Sequence, residues 1–490
     1  MIEIAAAALA GALLGTLVGV LPGLGPAATM ALLLPASFAL EPAPALVLLA
    51  GIYFGSQYGS STTAILLNLP GEASGAVTAE EGHRLALAGR AGVALGVAAL
   101  ASLFAGLATA GLIALATPPL AKLALALGPA DVAALVLFSA AAIVAFGGAP
   151  GTRGVAMLLL GASLGFVGTD FGGGLPRFTF GVAELRDGIG LVPMLVGLFG
   201  IGEVLAQHSL RRPRSRLAPI GRIWPSWLEL KECCAPAVRG TAVGTLVGML
   251  PGGSTLLAAI FSQTIERRVA HDRASYGRGA LSGVAGPEAA NNAAAQAGLI
   301  PLIGLGLPAS PAMAVLLGAF MLHGLPPGPA LFFKDAEVFH ALVAGMVIAN
   351  IALVLINLPL VGLWVRLLSL PLGLLIALII TVSTLGVYAQ SRLAFDVYLM
   401  VAFGIAGYAL RRGGFPLAPI VFGAVLGPLF EDNLRRAFLH AHEDAWLVLG
   451  EPLVVPCLLA ITALVLWRSL QGRLPTAAAS LDGRREPPQH

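Results

Sequence analysis

Residues 15–25 read GTLVGVLPGLG, and residues 244–254 read GTLVGMLPGGS, with eight of eleven positions identical at an offset of 229 residues. Each copy starts as part of an apolar run and then meets Leu-Pro-Gly. Proline removes a backbone donor and clashes with the preceding turn, and glycine adds freedom where a helix wants none. Inside a bilayer every backbone polar group needs a partner within the protein. A duplicated break at such a position therefore limits the possible folds more than any other feature of the chain.

The surrounding runs establish that a bilayer is the solvent. Residues 5–22, AAAALAGALLGTLVGVLP, and 342–365, LVAGMVIANIALVLINLPLVGLWV, reach or approach the span of a membrane helix, which takes about 20 apolar residues. Only 11% of residues are charged and the mean hydropathy is +0.89, against roughly a quarter charged in soluble domains. The fold class is an all-α polytopic integral membrane protein with about 10–14 transmembrane or re-entrant helices. The 62 glycines and 34 prolines exceed what simple lipid-facing rods need. Compositional bias accounts for much of the alanine, and lysine occurs only at Lys122, Lys231 and Lys334. It does not account for glycines and prolines in matched positions.

Several classes are excluded. A net charge of +3 with no basic patch interleaved with aromatics gives no nucleic-acid partner. Cys233, Cys234 and Cys457 form neither a disulfide framework nor a metal-ligand spacing. No zinc helix, nucleophile elbow or Walker A loop occurs, and the histidines are scattered, so an ATP-driven or hydrolytic machine is not expected. The N-terminus lacks a basic region and a cleavage signature and reads as a first span.

The chain divides into a first membrane half (1–206), a basic linker (207–232), a second membrane half (233–468) and a polar tail (469–490). Residues 207–231 carry Arg211, Arg212, Arg214, Arg216, Arg222 and Lys231 against Glu229. Basic loops stay in the cytoplasm, so the linker and the arginine-bearing tail are expected inside. The connection after the first broken hairpin, EPAP at 41–44, has no cation, whereas its counterpart at 266–279 has four arginines. Opposite charge in equivalent loops argues for inverted-topology repeats, a plan common in secondary transporters; parallel halves are the alternative.

Four stretches carry the polar chemistry. Two are the tips Pro22-Gly23 with Gly25, and Pro251-Gly252 with Ser254 and Thr255. The third, residues 58–74, holds Ser60, Ser61, Thr62 and Asn68 before Pro70-Gly71; the fourth, residues 286–310, holds Glu288, Asn291, Asn292 and Gln296 before Pro308. Each half is thus a broken hairpin, a polar stretch and a second broken tip. Helix N-termini beside such breaks favour an anion, and hydroxyls and amides add hydrogen bonds without the desolvation cost of a fixed charge. Gln296 and Glu288 apart, these residues are the expected substrate site for an organic anion. Glu288, an ionisable group at membrane depth, is the expected ion-coupling residue, although Gly286-Pro287 allows it instead to sit at a helix start near water. Asp170 and Arg177, in the glycine-rich stretch 168–181, read as a structural ion pair.

The stretches 15–26, 58–74, 168–181, 283–308 and 415–438, in this order, resemble the large membrane subunit of the tripartite tricarboxylate transporters, the TctA family. The resemblance implies a permease of the bacterial inner membrane that works with a periplasmic solute-binding protein and a small second membrane subunit. It also implies uptake of citrate or a related mono- to tricarboxylate, with Na⁺ or H⁺ symport and no other cofactor. One departure stands out: Glu80-Glu81-Gly82 occupies a place where the family pattern has an aspartate before the glycine. A polytopic enzyme acting on a lipid-borne substrate and a passive anion channel are the competing readings.

Overall fold

A computed structural model of the chain describes residues 1–21, 25–146, 150–170, 173–208, 220–270, 273–367, 372–441 and 454–471. Pro22 and Gly23, the four arginines at 211–216 and nearly all of the tail lie outside the described residues. The first half contains α1 (Ile2–Gly19), α2 (Pro26–Leu33), α3 (Pro42–Leu67), α4 (Gly75–Leu85), α5 (Ala91–Ala124), α6 (Pro129–Phe146), α7 (Gly151–Gly165), α8 (Leu191–Leu195) and α9 (Gly202–His208). The second contains α10 (Trp227–Gly248), α11 (Thr255–Val269), α12 (Ser282–Ala297), α13 (Leu299–Leu305), α14 (Pro311–Leu322), α15 (Pro329–Lys334) and α16 (Ala336–Asn357). It ends with α17 (Val361–Leu367), α18 (Leu372–Ser391), α19 (Ala394–Arg412), α20 (Ala418–His440) and α21 (Val454–Leu470). The strands described, β1 (Gly168–Thr169) and β2 (Pro176–Arg177), form a small antiparallel hairpin. The all-α polytopic class is what the composition required.

Local chemistry sets the helix boundaries. Gly25 is extended and precedes Pro26, whose fixed φ suits a first helical turn. Asn68 ends α3 in the left-handed conformation at φ 54°. Ser226 and Glu229 form a reciprocal capping box that starts α10. There the backbone N–H of Ser226, its hydroxyl, and the guanidiniums of Arg90 and Arg222 hold the Glu229 carboxyl down to about 2. The linker is further tied to α5 by the Gly92 N–H, which donates to Ile220 O at 2.6 Å.

Helix packing follows a small-residue rule. Gly11, Gly15 and Gly19 of α1 press in the same order against Leu48, Ile52 and Ser56 of α3, so the two helices run parallel. A methyl group at any of the three would overlap a backbone carbonyl of α3. Gly240, Gly244 and Gly248 of α10 meet Gly286, Ala290 and Ala294 of α12 in the same parallel manner. Both halves are therefore built on one device, a parallel helix pair closed by glycines. The long helix α5 packs against α3, α10, α12 and α16 and stands between the pairs.

Two placements are decided here. The polar stretches around Ser60 and Asn291 are continuous helix. Pro287 lies inside α12, so Glu288 is not at a helix start near water but is 3% exposed. The proline is tolerated because surrounding protein excludes the alternatives open to a helix in solvent.

Candidate functional site

The chain breaks after α1, α3, α10 and α13 come together around a cavity of about 450 Å³. Its wall includes Pro26, Glu72 and Ala73 from the first half, and Gly252 to Leu256 and Ala309 to Ala312 from the second. Gly252 turns the chain at φ +75° and donates its N–H to Ala309 O at 3.0 Å, which joins the two second-half breaks to each other. Gly71 packs against Gly19 and Ser60 and does the same in the first half.

Helix starts line this cavity. The first residues of α2, α11, α14 and α20 all reach it. Ser254 caps α11 by accepting from the Leu257 N–H at 3.1 Å, and Ser310 caps α14 by accepting from Met313 N–H at 3.3 Å. Converging N-termini create a positive field from backbone dipoles. No lysine or arginine is among the described residues of the wall; its one charged side chain is Glu72. The cavity suits an anion held by backbone charge rather than by a guanidinium.

Glu72 sits on the fold-back between α3 and α4. Its N–H donates to Ser60 Oγ at 2.8 Å, and its Oε1 accepts from the Thr255 hydroxyl, a bond between the two halves. Tyr53 also lines the cavity, with its ring on the same stretch of α3 as Gln57 and near Ser310. Ser60 thus acts on the tip rather than on the cavity directly.

Glu288 lies apart, fully enclosed. Ser61 donates to its carboxylate at 2.8 and 2.9 Å, Thr78 to Oε1, and Ser102 to Oε2 at 3.5 Å. Three first-half helices, α3, α4 and α5, thereby wrap one carboxylate of the second half. Among the other expected residues, Gly252, Ser254 and Thr255 line the cavity. Gly25 supplies the carbonyl that starts α2, and Asn68, Pro70, Gly71, Pro251 and Pro308 shape the breaks. Thr62 bonds back to Tyr58 O at 3.1 Å. Asn292 accepts from Gln296, which pairs with Asn350 at 3.1 Å, so it belongs to an amide ladder between α12 and α16. Asn291 is buried, and its Oδ1 has no hydrogen-bond partner among the described residues.

Sequence reasoning passed over Glu72, Tyr53, Gln57 and Ser310. Glu72 had a readable signal, a lone carboxylate beside a Pro-Gly break. Thr78 and Ser102 had none, being single hydroxyls on apolar helices. Farther off, Asp170 does pair with Arg177, within a network that includes Glu431 and Arg435. Glu203 pairs with Arg411 of α19. Among the described residues no group of three His, Cys, Asp or Glu is disposed to hold a metal ion.

Comparison with known proteins places these features in context. The family model described as the tripartite tricarboxylate transporter TctA family matches residues 5–422. A protein of Agrobacterium vitis, named only as an uncharacterized 52.8 kDa protein in the region 3′ of ttuC′ in TAR-I, is 43% identical over 455 residues. That alignment covers 92% of this chain and 90% of the relative. A second A. vitis protein, from the corresponding region of TAR-II, is 44% identical over 215 residues, 44% of this chain and 89% of the relative. No solved structure matches.

Proposed function

The chain belongs to the tripartite tricarboxylate transporter TctA family, and from that premise we propose that it is the carboxylate-translocating permease, with its substrate site in the four-break cavity. Membership makes it a multi-pass membrane component of a transporter for carboxylates that acts with partner proteins, and not an enzyme. The finer reading is uptake across the bacterial inner membrane of citrate or a related carboxylate. A periplasmic solute-binding protein delivers the substrate, a small second membrane subunit assists, and a Na⁺ or H⁺ gradient drives the step. The observation that carries it is the cavity wall: helix N-termini from both halves, no basic side chain among the described residues, and one carboxylate. Backbone dipoles bind an anion firmly enough to select it and weakly enough to release it.

We also propose that the halves are inverted. The loop after α11 packs on α4, where Glu81 accepts from the N–H groups of Gly277, Gly279 and Ala280. Arg90, just before α5, pairs with Glu229 at the start of α10. The α3–α4 segment thus arrives at the linker face, whereas α10 departs from it. That opposition, with the uncharged 41–44 loop and the basic 266–279 loop, supports two pairs entering the cavity from opposite sides.

The test is uptake of labelled citrate and smaller carboxylates by vesicles containing the permease with its binding protein and small subunit. Saturable uptake that stops when the Na⁺ and proton gradients are collapsed together is expected. Ser254→Ala should weaken it up to about fivefold, equivalent to roughly 1 kcal/mol of dipole and cap interaction. Flux that continues without a gradient and never saturates would instead establish a channel, and gradient-independent conversion of a lipid substrate an enzyme.

A further inference from the structure

Two helices that leave the cavity for the linker face, one from each half, are fastened together along their length. α11 begins at the wall with Thr255, and α4 follows closely after the wall residues Glu72 and Ala73. Thr255 donates to Glu72, and Gln263 donates to Glu80 at 3.0 Å. Each pair is 183 residues apart, so α4 and α11 run in the same direction. Between those levels Val77, 1% exposed, packs in an apolar layer with Leu256, Leu257 and Ile260. Past the layer Glu80 also pairs with Arg267, and Arg267 lies 4.0 Å from Glu81. Glu81 in turn is held by the N–H groups of Gly277, Gly279 and Ala280 beyond α11. From Thr255 to Arg267 the seam covers about 18 Å at the helical rise.

The seam on the other side of the cavity is built differently. α2 and α14, again one from each half, also begin at the cavity and pack on one another. Neither Pro26–Leu33 nor Pro311–Leu322 contains a charged residue. Each seam joins the helix after one half's first break to the helix after the other half's second break. Among the described residues, the α4–α11 seam alone of the two has an ion pair across it. Glu80 and Glu81, which depart from the family pattern, serve this seam. The side chains of Glu80 and Arg267 are 27% and 36% exposed, so their pair is screened and modest, as a contact that opens repeatedly requires.

We propose that the α4–α11 seam is the inner gate of the permease, latched by Glu80 with Gln263 and Arg267, and released from the cavity end by a bound carboxylate. The proposal rests on the cavity being the carboxylate site and on the linker face being inside. Thr255 has one hydroxyl proton, which it gives to Glu72. A carboxylate held at the start of α11 competes for that proton and repels the Glu72 carboxylate. Both effects act on the bond that closes the seam at the cavity, and the apolar layer and the latch then part in turn. The substrate shifts the gate by its greater affinity for the arrangement in which Thr255 no longer serves Glu72.

Opening is read from Val77→Cys in a chain lacking its three cysteines, assembled with its partners in inside-out vesicles. An impermeant maleimide reaches residue 77 when the seam parts. Labelling should be slow in this background and about fivefold faster with Glu80→Gln or Arg267→Gln, the factor set by a modest ion pair. Arg267→Lys, which keeps the charge, should stay within about twofold of the background. Leu257→Cys, in the same apolar layer, repeats the measurement if Val77→Cys fails to assemble. Latch variants that label no faster overturn the proposal, and so does Arg267→Lys labelling as fast as Arg267→Gln. Citrate, succinate and acetate are then added in turn. At least one should speed labelling about threefold or more, and Thr255→Val should abolish that response. A response that survives Thr255→Val overturns the release step. Fast latch variants with no response to any of the three carboxylates would leave the gate standing and remove the carboxylate reading of the cavity. A carboxylate response with inert latch variants would do the reverse.

Discussion

Glu288 is buried and Glu72 half-buried, and their surroundings assign the two carboxylates different work. Around Glu288 the hydroxyls of Ser61, Thr78 and Ser102 leave the oxygens satisfied, so this residue clamps the second half to three helices of the first. Removing the carboxylate strands those hydroxyls in a dry site, at roughly 1–3 kcal/mol for each group left unpartnered. Ser61 can fall back on Gln57 O at 3.3 Å, which softens the loss. Glu288→Ala is therefore expected to destabilise the solubilised permease by about 3 kcal/mol, and Glu288→Gln by about 1 kcal/mol. Thermal unfolding in detergent reads both. An Ala variant as stable as wild type would show that the clamp carries no weight. At this scale the sequence singled out Glu288 correctly as unusual, yet gave no sign of its partners. Thr78 and Ser102 stand 210 and 186 residues away along the chain.

The helices show where local pattern is a sound guide and where it is not. Glycines four apart at 11, 15 and 19, at 51, 55 and 59, and at 240, 244 and 248 are visible in the sequence and do mark close helix contacts. Which helix each glycine face meets is not visible, because a small-residue stripe is complementary to any other. Proline was less reliable: Pro251 ends a helix as expected, whereas Pro287 lies within one. The difference is that α12 is enclosed along its whole length, which removes competing conformations. The glycine contacts make an element-scale prediction. Gly15→Val puts a side chain into the Ile52 backbone, which has no flexible end to yield. It should cost upwards of roughly 3 kcal/mol, beyond ordinary overpacking. Gly111→Ala on α5, with no atom within 4 Å of the new methyl, should be neutral or stabilising. The fraction of each variant remaining monodisperse after heating tests the contrast, and equal behaviour would sink it.

For the molecule as a whole, the repeats matter only if they oppose one another across the bilayer. From the hairpin at 168–190, residues 191–208 lead to the linker, a path of about 27 Å at the helical rise, close to one bilayer core. With the basic linker inside, the hairpin is expected outside. Leu175 and Trp224, 70% and 62% exposed, mark the two faces. In a chain lacking its three cysteines, Leu175→Cys should react with an impermeant maleimide on intact cells when the outer membrane is made leaky. Trp224→Cys should react only after the inner membrane is opened. Labelling of both from one side would refute the proposed orientation.

By itself the sequence determined that the chain lives in a bilayer, that its helices break at paired Pro-Gly tips, and that a motif recurs after 229 residues. These are properties of composition and of short segments, written in neighbouring residues. Only the tertiary structure decided that the breaks meet in one cavity, that Thr255 reaches Glu72 across 183 residues, and that Ser61, Thr78 and Ser102 gather on Glu288. The reason is physical. An apolar stretch or a proline acts on its own few turns, whereas the energy of a buried polar atom depends on which distant atoms surround it, and packing alone supplies those.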